Sequence, residues 1–227
     1  MKRNQSGFTL IEIAIVLVII GLLLGGVLKG QELINSAKVK NLATDFRNIP
    51  VYIYGYQDKF RSVPGDDSQA QSHVGATTAQ VCGPVGTATA TCNPGNGLIE
   101  GPWDTTNLTA ESQLFWLDVR LAGLAAGPTT GDMLPLNSAG GVIGITSGAY
   151  NPDTSTTPIQ GTYIICSAGI LGKFAKQLDL QMDDGAPSTG SVREYNQTGR
   201  GAGLQIPTLD TTNQLNDNLT YTVCMGV

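Results

Sequence analysis

The order of apolar and polar positions divides the chain into two unlike parts. From Phe8 to Leu28, a run of 21 residues, almost every side chain is apolar and Glu12 is the single charged one. As a helix this run would be about 31 Å long, which matches the roughly 30 Å hydrocarbon core of a bilayer. The pattern predicts a helix long enough to cross a membrane.

A second apolar pattern follows the first, now with polar residues between its members. Its apolar positions recur three or four residues apart, which is the spacing of one buried helix face. These positions are Val39, Leu42, Phe46, Ile49, Ile53, Tyr56 and Phe60. The pattern predicts that the helix continues to residue 60 with this face packed on a domain. Pro50 lies inside it and is expected to bend the helix or weaken its hydrogen bonding near Phe46.

The rest of the chain, residues 61–227, is predicted to form a globular head. Pro64-Gly65 ends the long helix, and residues 62–107 have few apolar anchors, which favours a surface loop. A second helix is predicted over residues 109–124, with Thr109 as its N-cap and Phe115 and Trp116 in the core.

The later segments alternate between strand and helix patterns. Residues 140–147, 162–168 and 219–225 have strand character, and residues 170–182 have the pattern of a short helix. The predicted fold class is α+β, with a long N-terminal helix as a spine and a small antiparallel sheet in the head.

Composition narrows the choice of function. The chain has 227 residues, 41% of them apolar, which argues against disorder, and only 14% are charged. The formal charge is −5, and it would fall to −7 without Lys2 and Arg3. An acidic surface of this kind speaks against nucleic-acid binding by the bulk of the protein.

Four cysteines and a single histidine make a Cys/His zinc site improbable. The four cysteines allow three disulfide pairings. Their positions favour Cys82 with Cys92, closing a short loop, and Cys166 with Cys224, joining two predicted strands. Four free buried thiols are the alternative. Disulfides would place the head outside the cytosol.

No catalytic set is evident among the remaining polar residues. His73 stands in a polar segment and is expected to be solvated rather than to act as a general base. Asp66 and Asp67 follow Pro64-Gly65, where a turn is the preferred interpretation and a metal site is the alternative.

The stretch from Leu178 to Gly190 is the best candidate for a metal site. Asp179, Asp183 and Asp184 could offer hard oxygen ligands to calcium. The spacing differs from that of an EF-hand loop, because Asp184 stands where that loop needs glycine. An Asp-Asp-Gly turn at the end of a helix is the preferred interpretation, with no cofactor, and calcium is the alternative.

Glu12 needs an explanation, because a carboxylate at bilayer depth is costly. Lys2 and Arg3 could begin a secretory signal peptide, but the apolar run is longer than the usual 7–15 residues of such a segment. If the chain were cut between Gly7 and Phe8, the new α-amine would lie one helical turn from Glu12. Opposite charges would then face each other.

The N-terminal string resembles that of the type IV pilin superfamily, which includes pilins and the pseudopilins of type II secretion. The resemblance rests on the basic leader "MKRNQSG", the following "FTLIE" and the apolar helix that begins at the cut. It implies that a prepilin peptidase cleaves after Gly7 and methylates Phe8. It also implies that Glu12 meets the α-amine of a neighbouring subunit during assembly.

Together with the apolar patterns, the resemblance divides the chain into four parts and implies a set of partners. The expected parts are a leader (1–7), a transmembrane or filament-core helix (8–28), a helix packed on the head (29–60) and the head (61–227). The expected function is a non-enzymatic pilus subunit. Its partners would be copies of itself, the prepilin peptidase and an inner-membrane assembly platform.

Two other functions remain open on the sequence. One is a pseudopilin that stays in the periplasm, and the other is a periplasmic enzyme or receptor domain anchored by a single helix. A pilin would instead move from the bacterial inner membrane to a pilus on the cell surface.

Overall fold

The computed structural model describes residues 10–82, 92–153, 155, 157–197, 199–201, 203–207, 209 and 214–227. The helices are α1 (Leu10–Phe60), α2 (Ala70–His73), α3 (Glu111–Leu121) and α4 (Gly172–Met182). The strands are β1 (Ile143–Ser147), β2 (Tyr163–Leu171), β3 (Val192–Tyr195) and β4 (Thr220–Gly226). Short 3₁₀ turns occupy Thr78–Gln80 and Gly148–Tyr150. The predicted α+β class, with a long N-terminal helix and a small antiparallel sheet, is confirmed.

The chain divides into two compact units, residues 1–38 and residues 39–227. From here on, the head is the second unit, residues 39–227, which includes the C-terminal part of α1 as well as the predicted residues 61–227. Each unit is described by itself. Helix α1 contributes residues 39–60 to the head and continues through Pro50. The predicted stripe is buried from Val39 to Tyr56, while Phe60 is only half-buried. The spacing of three or four residues between apolar positions therefore identified the packed face of α1 correctly.

The head contains a four-stranded antiparallel sheet in the order β1-β2-β4-β3. Strand β2 pairs with both β1 and β4, and its register with β4 shifts between Ser167 and Ile170. The predicted strands correspond to β1, β2 and β4. Strand β3 was missed, because its four residues include two charged ones.

Both faces of the sheet are covered. One face packs on a core that includes residues 39–53 of α1 together with α3 and α4. The other face carries a smaller cluster that includes Trp103, Ile164 and Tyr195. The sheet is therefore an inner layer of the head.

Helix α3 is buried on every side, which was not predicted from the sequence. Ten of its eleven residues are buried, including polar and charged ones. Gln113 donates to Thr105 O and to Asp132 Oδ1, and Arg120 donates to Ala126 O and Pro128 O. The polar side chains of α3 thus donate hydrogen bonds to the surrounding loops. These bonds give them the partners that buried polar groups require. Phe115 and Trp116 are in the core, as predicted.

The predicted N-cap of α3 is wrong. Ala110 holds the N-cap position, and the Thr109 hydroxyl donates instead to Asn107 Oδ1 at 3.0 Å. The Thr109 side chain therefore takes part in a local hydrogen bond upstream of the helix and does not cap it.

Candidate functional site

The apolar N-terminal part of α1 exposes its side chains. Sixteen large apolar residues between Leu10 and Ile34 are exposed, most of them by more than half. By length and composition, α1 is the helix in the described part of the chain that could cross a membrane. An apolar surface this extended marks contact with a membrane or with other protein.

Glu12 lies in the first turn of α1 and is exposed. A carboxylate at this position interacts favourably with the positive end of the helix dipole. The predicted processing residues Gly7 and Phe8 lie outside the described residues. The next charged side chains on the helix are Lys29 and Glu32, which form an exposed ion pair at 2.7 Å. Glu12 is therefore separated from them by a wholly uncharged stretch.

Two disulfides are present in the head. They join Cys82 to Cys92 and Cys166 to Cys224, the pairs that the sequence favours. Cys166 and Cys224 are fully buried and face each other on neighbouring strands β2 and β4. The second disulfide therefore links strands through the interior of the sheet.

The described parts of the segment that follows α1, residues 62–82 and 92–107, are mostly irregular, but several of their side chains are buried, so the prediction of a surface loop is wrong for these residues. Ile99 and Trp103 are in the core, and Asp66 is only 3% exposed. The Asp66 carboxylate accepts the backbone N–H groups of Gly95, Asn96 and Gly97. Polar residues here satisfy buried backbone donors, which lets an irregular segment enter the interior.

Glu111 of α3 accepts hydrogen bonds from the same segment. Its carboxylate accepts the backbone N–H groups of Asn93 at 2.6 Å and Glu100 at 2.8 Å. Burial raises the pKa of Glu111 to about 7, against the opposing effect of those two donors. The residues after Cys92 are therefore anchored by a buried acid rather than by secondary structure.

His73 is paired and half-buried, so the prediction of a solvated side chain is wrong. Its Nδ1 lies 2.7 Å from Asp67 Oδ2, and its ring stacks on Phe60 with the centroids 5.2 Å apart. Asp67 Oδ2 also accepts the Tyr56 hydroxyl at 2.7 Å. These four side chains connect the end of α1 to α2, and Asp67 in the turn between the helices accepts hydrogen bonds from both sides.

Three carboxylates come together at the C-terminal end of α4. Asp179, Asp183 and Asp184 each offer an oxygen within 4.8 Å of the others. Burial raises the pKa of Asp179 to about 6, opposed by the nearby Gly185 N–H and reinforced by the two neighbouring aspartates. Burial likewise raises the pKa of Glu194 to about 9, and Asp179 adds to the rise. We call the three aspartates the acidic cluster.

Glu194 was not identified from the sequence. Glutamate is usually solvated, and nothing in the local pattern marks residue 194 as buried. Glu194 is two residues after Val192. Had β3 been recognised as a strand, this spacing would have placed the two side chains on the same face.

A pocket of about 280 Å³ opens on the head, lined by glycines and prolines together with Trp103, Asp104 and Tyr150. These residues provide no nucleophile with an adjacent base. Asp104 Oδ2 is already engaged by Gln197 and by the backbone N–H of Gly201. The pocket does not have the arrangement of a hydrolytic site.

The long helix, the small antiparallel sheet and the exposed apolar segment define a pilin-like protein. Residues 2–28 match the family model described as the prokaryotic N-terminal methylation motif, which is the signature of type IV pilins and pseudopilins. The motif and the apolar helix fit membrane insertion, and the signature indicates a structural subunit rather than an enzyme. No curated protein matches the chain.

Proposed function

We propose that the chain is a structural subunit of a type IV pilus filament. A prepilin peptidase cleaves it after Gly7 and methylates the new amine of Phe8. The apolar helix holds the subunit in the bacterial inner membrane until an assembly platform extracts it to the cell surface. The observation that carries the proposal is the exposed apolar surface from Leu10 to Ile34, most of which lies within the methylation motif of residues 2–28.

In the filament, the N-terminal helices of neighbouring copies pack on one another. Extraction from lipid gains little free energy by itself, because lipid is as apolar as the helix interface. Packing and specific polar contacts must therefore favour the filament, and an ATPase elsewhere must drive extraction. Glu12 provides the polar contact, since its carboxylate pairs with the α-amine of a neighbouring Phe8 and fixes the register of the two helices.

The head is the part that faces solvent in this proposal. Its two disulfides suit an extracytoplasmic environment. Its role is structural and not enzymatic, and the acidic net charge of the chain does not favour nucleic acid as a partner. Disulfides and a large head rich in irregular segments suit a surface-exposed pilin better than a pseudopilin.

The proposal is tested by comparing Glu12→Gln with Glu32→Gln in producing cells. Both residues lie on α1 and are exposed, but Glu32 already pairs with Lys29. Filaments sheared from the cell surface are quantified against the membrane fraction. We expect Glu12→Gln to be cleaved and methylated normally but to be missing from the sheared fraction, while Glu32→Gln forms filaments.

Each other outcome has a defined meaning. Equal amounts of both variants in sheared filaments would contradict the role of Glu12. Unaltered protein that is processed but stays in the membrane fraction would favour a pseudopilin. Protein that is never cleaved would indicate a single-helix membrane anchor for a domain of another function.

A further inference from the structure

Residues 93–100 have no regular secondary structure and are held in place by two acidic side chains. Seven of these eight residues have a backbone N–H, since Pro94 has none. Five of the seven donate to carboxylates, three to Asp66 and two to Glu111. The remaining two donate to nearby side-chain oxygens. The two carboxylates therefore accept the hydrogen bonds that backbone carbonyl groups accept in a helix or a sheet.

Three acidic side chains are buried around this segment without a neighbouring cation. Asp66, Glu100 and Glu111 are at most 4% exposed, and none of them belongs to an ion pair among the described residues. Glu100 Oε1 accepts from Asn96 and Tyr150, while its Oε2 has no hydrogen-bond partner in the described part of the chain. Burial raises the pKa of Asp66, and Glu100 adds to the rise against three N–H donors. Buried like charges without a counter-ion oppose ionisation.

The segment covers the carboxylate of Glu111, since both of its oxygens accept from the segment, through the N–H groups of Asn93 and Glu100. Burial raises the pKa of Glu111 from 4.5 to about 7; the two donors oppose the rise, and Asp66 and Glu100 add to it. If the segment moved away, water would reach the carboxylate and the pKa would return towards 4.5. The closed position is therefore fully stabilised below about pH 4.5 and loses this stabilisation as pH rises through about 7.

Three other titratable groups lie nearby. The Asp118 carboxylate, also on α3, accepts from Gly65 rather than from residues 93–100. The hydrogen bond to Glu100 raises the pKa of the Tyr150 hydroxyl above its usual value of 10, and burial raises that of Tyr163. Both tyrosines therefore remain neutral between pH 6 and pH 8, and neither adds a charge next to the segment.

The same segment covers the outer edge of β1, which lies at one end of the sheet. Ser147 donates its backbone N–H to Ile99 O at 2.9 Å. The Thr146 hydroxyl donates to Ile99 O and to Gly101 O. An uncovered edge strand presents backbone groups that can pair with another chain. Movement of the segment would therefore expose the β1 edge at Ser147.

We propose that residues 93–100 form a pH-sensitive latch on the edge of the sheet, closed at mildly acidic pH and opened as Glu111 ionises beside Asp66 and Glu100. Opening is local, because the disulfide from Cys92 to Cys82 keeps the start of the latch attached to the head. This inference goes beyond the filament proposal, since it concerns the head alone and holds for a pilin or a pseudopilin.

The test is hydrogen–deuterium exchange of the full-length chain in detergent at pH 6 and pH 8, read by mass spectrometry. Rates are corrected for the intrinsic effect of pH on amide exchange. We expect the protection of residues 93–100 to be about tenfold lower at pH 8, as follows for one acid with a pKa of about 7 when closed and 4.5 when open. Equal protection at the two pH values would overturn the proposal.

Strand β2 provides the internal comparison, because its residues exchange only when the core opens. The latch should be less protected than β2 at both pH values, since a local opening needs less free energy than global unfolding. Identical protection of the latch and β2 would mean that residues 93–100 open only with the whole head, and this result would also overturn the proposal.

Two variants assign the effect to the buried acids. Glu111→Gln does not ionise and keeps one accepting oxygen, so its latch should be less protected at pH 6 but equally protected at both pH values. Glu100→Gln removes a negative charge and leaves Asp66 and Glu111 as acceptors, so its latch should be more protected than the unaltered one at pH 8. Asp58→Asn is the control, because Asp58 is 88% exposed, and it should change neither value.

The variants can also refute the latch. A tenfold pH effect that survives in Glu111→Gln would assign the pH dependence to another group, such as Asp118. Protection of Glu100→Gln at pH 8 that does not exceed that of Asp58→Asn would show that repulsion among the buried acids does not open the segment.

Discussion

Gly65 donates its backbone N–H to Asp118 Oδ2 at 2.7 Å, and this bond ties the turn after α1 to the middle of α3. Gly65 has a φ of +89°, and a Cβ there would meet the backbone of α3 at Glu111 and Phe115. Only glycine allows this close approach. Since α3 is buried throughout, the contact positions the irregular segment that follows.

Gly65→Ala should destabilise the head by about 3 kcal/mol, because backbone strain and overlap with α3 act together. Gly75→Ala is the matched control, since Gly75 also has a positive φ of +76° but nothing within 4 Å of a Cβ. The control should lose only about 1 kcal/mol. Denaturant unfolding of the full-length chain in detergent measures both, and equal losses would contradict the close contact.

The head should be more stable at pH 5 than at pH 8. Burial raises the pKa of Asp118 to about 8 and that of Glu111 to about 7, above their usual values of 3.8 and 4.5. The folded state therefore holds protons that the unfolded state has released. The contribution of these two groups to stability is full below about pH 4 and is lost as pH rises through their folded pKa values. We expect a loss on the order of 6 kcal/mol between pH 5 and pH 8, since each group contributes about 1.4 kcal/mol per pH unit between its unfolded and folded pKa values.

Asp118→Asn tests this pH dependence. Its amide oxygen can still accept from Gly65, but the side chain no longer ionises, so the decline in stability with pH should become shallower. Asp58→Asn serves as the control, because Asp58 is 88% exposed. The measurement is the unfolding free energy at several pH values. Stability that rises from pH 5 to pH 8 in the unaltered chain would contradict the prediction.

Tyr56→Phe should destabilise the head by about 1.5–3 kcal/mol, because the buried Asp67 carboxylate loses a hydroxyl donor. Tyr54→Phe changes the same group two residues away, where the side chain is 65% exposed. Its effect should stay within about 0.5 kcal/mol. Thermal or denaturant unfolding compares the two, and a similar effect of both would show that the Tyr56 hydroxyl contributes nothing specific.

The two disulfides should contribute unequally to stability. The sequence separations are 58 residues for Cys166–Cys224 and 10 for Cys82–Cys92. By the loop-entropy relation, these closures stabilise by about 4 and about 3 kcal/mol. Paired alanine variants of each disulfide, unfolded in denaturant, measure the difference. A larger loss for the Cys82–Cys92 pair would mean that native-state contacts outweigh loop length.

Most helices and strands could be predicted from the sequence, because their burial follows a simple period. The stripe from Val39 to Tyr56 and the alternation in β4 reflect one buried face each. Strand β3 could not be predicted, because Glu194 points inward and so contradicts the polar-outward pattern of a half-buried strand.

The irregular segment and the sites were harder to predict for a related reason. Polarity suggested exposure near Asp66 and His73, but these side chains are buried or half-buried as partners of backbone and side-chain groups that are distant in sequence. The burial of Glu194 likewise depends on the packing of β3 within the head. A linear pattern records which residues are polar, whereas their burial depends on tertiary contacts.

The central claim, that the chain is a processed filament subunit, is tested most directly by intact mass spectrometry. Protein sheared from the outside of producing cells is compared with protein in the membrane pellet. The account predicts a sheared species that begins at Phe8, carries one added methyl group and is four hydrogen atoms lighter than the reduced chain because of its two disulfides. An uncut chain beginning at Met1 or Lys2 in both fractions would contradict it.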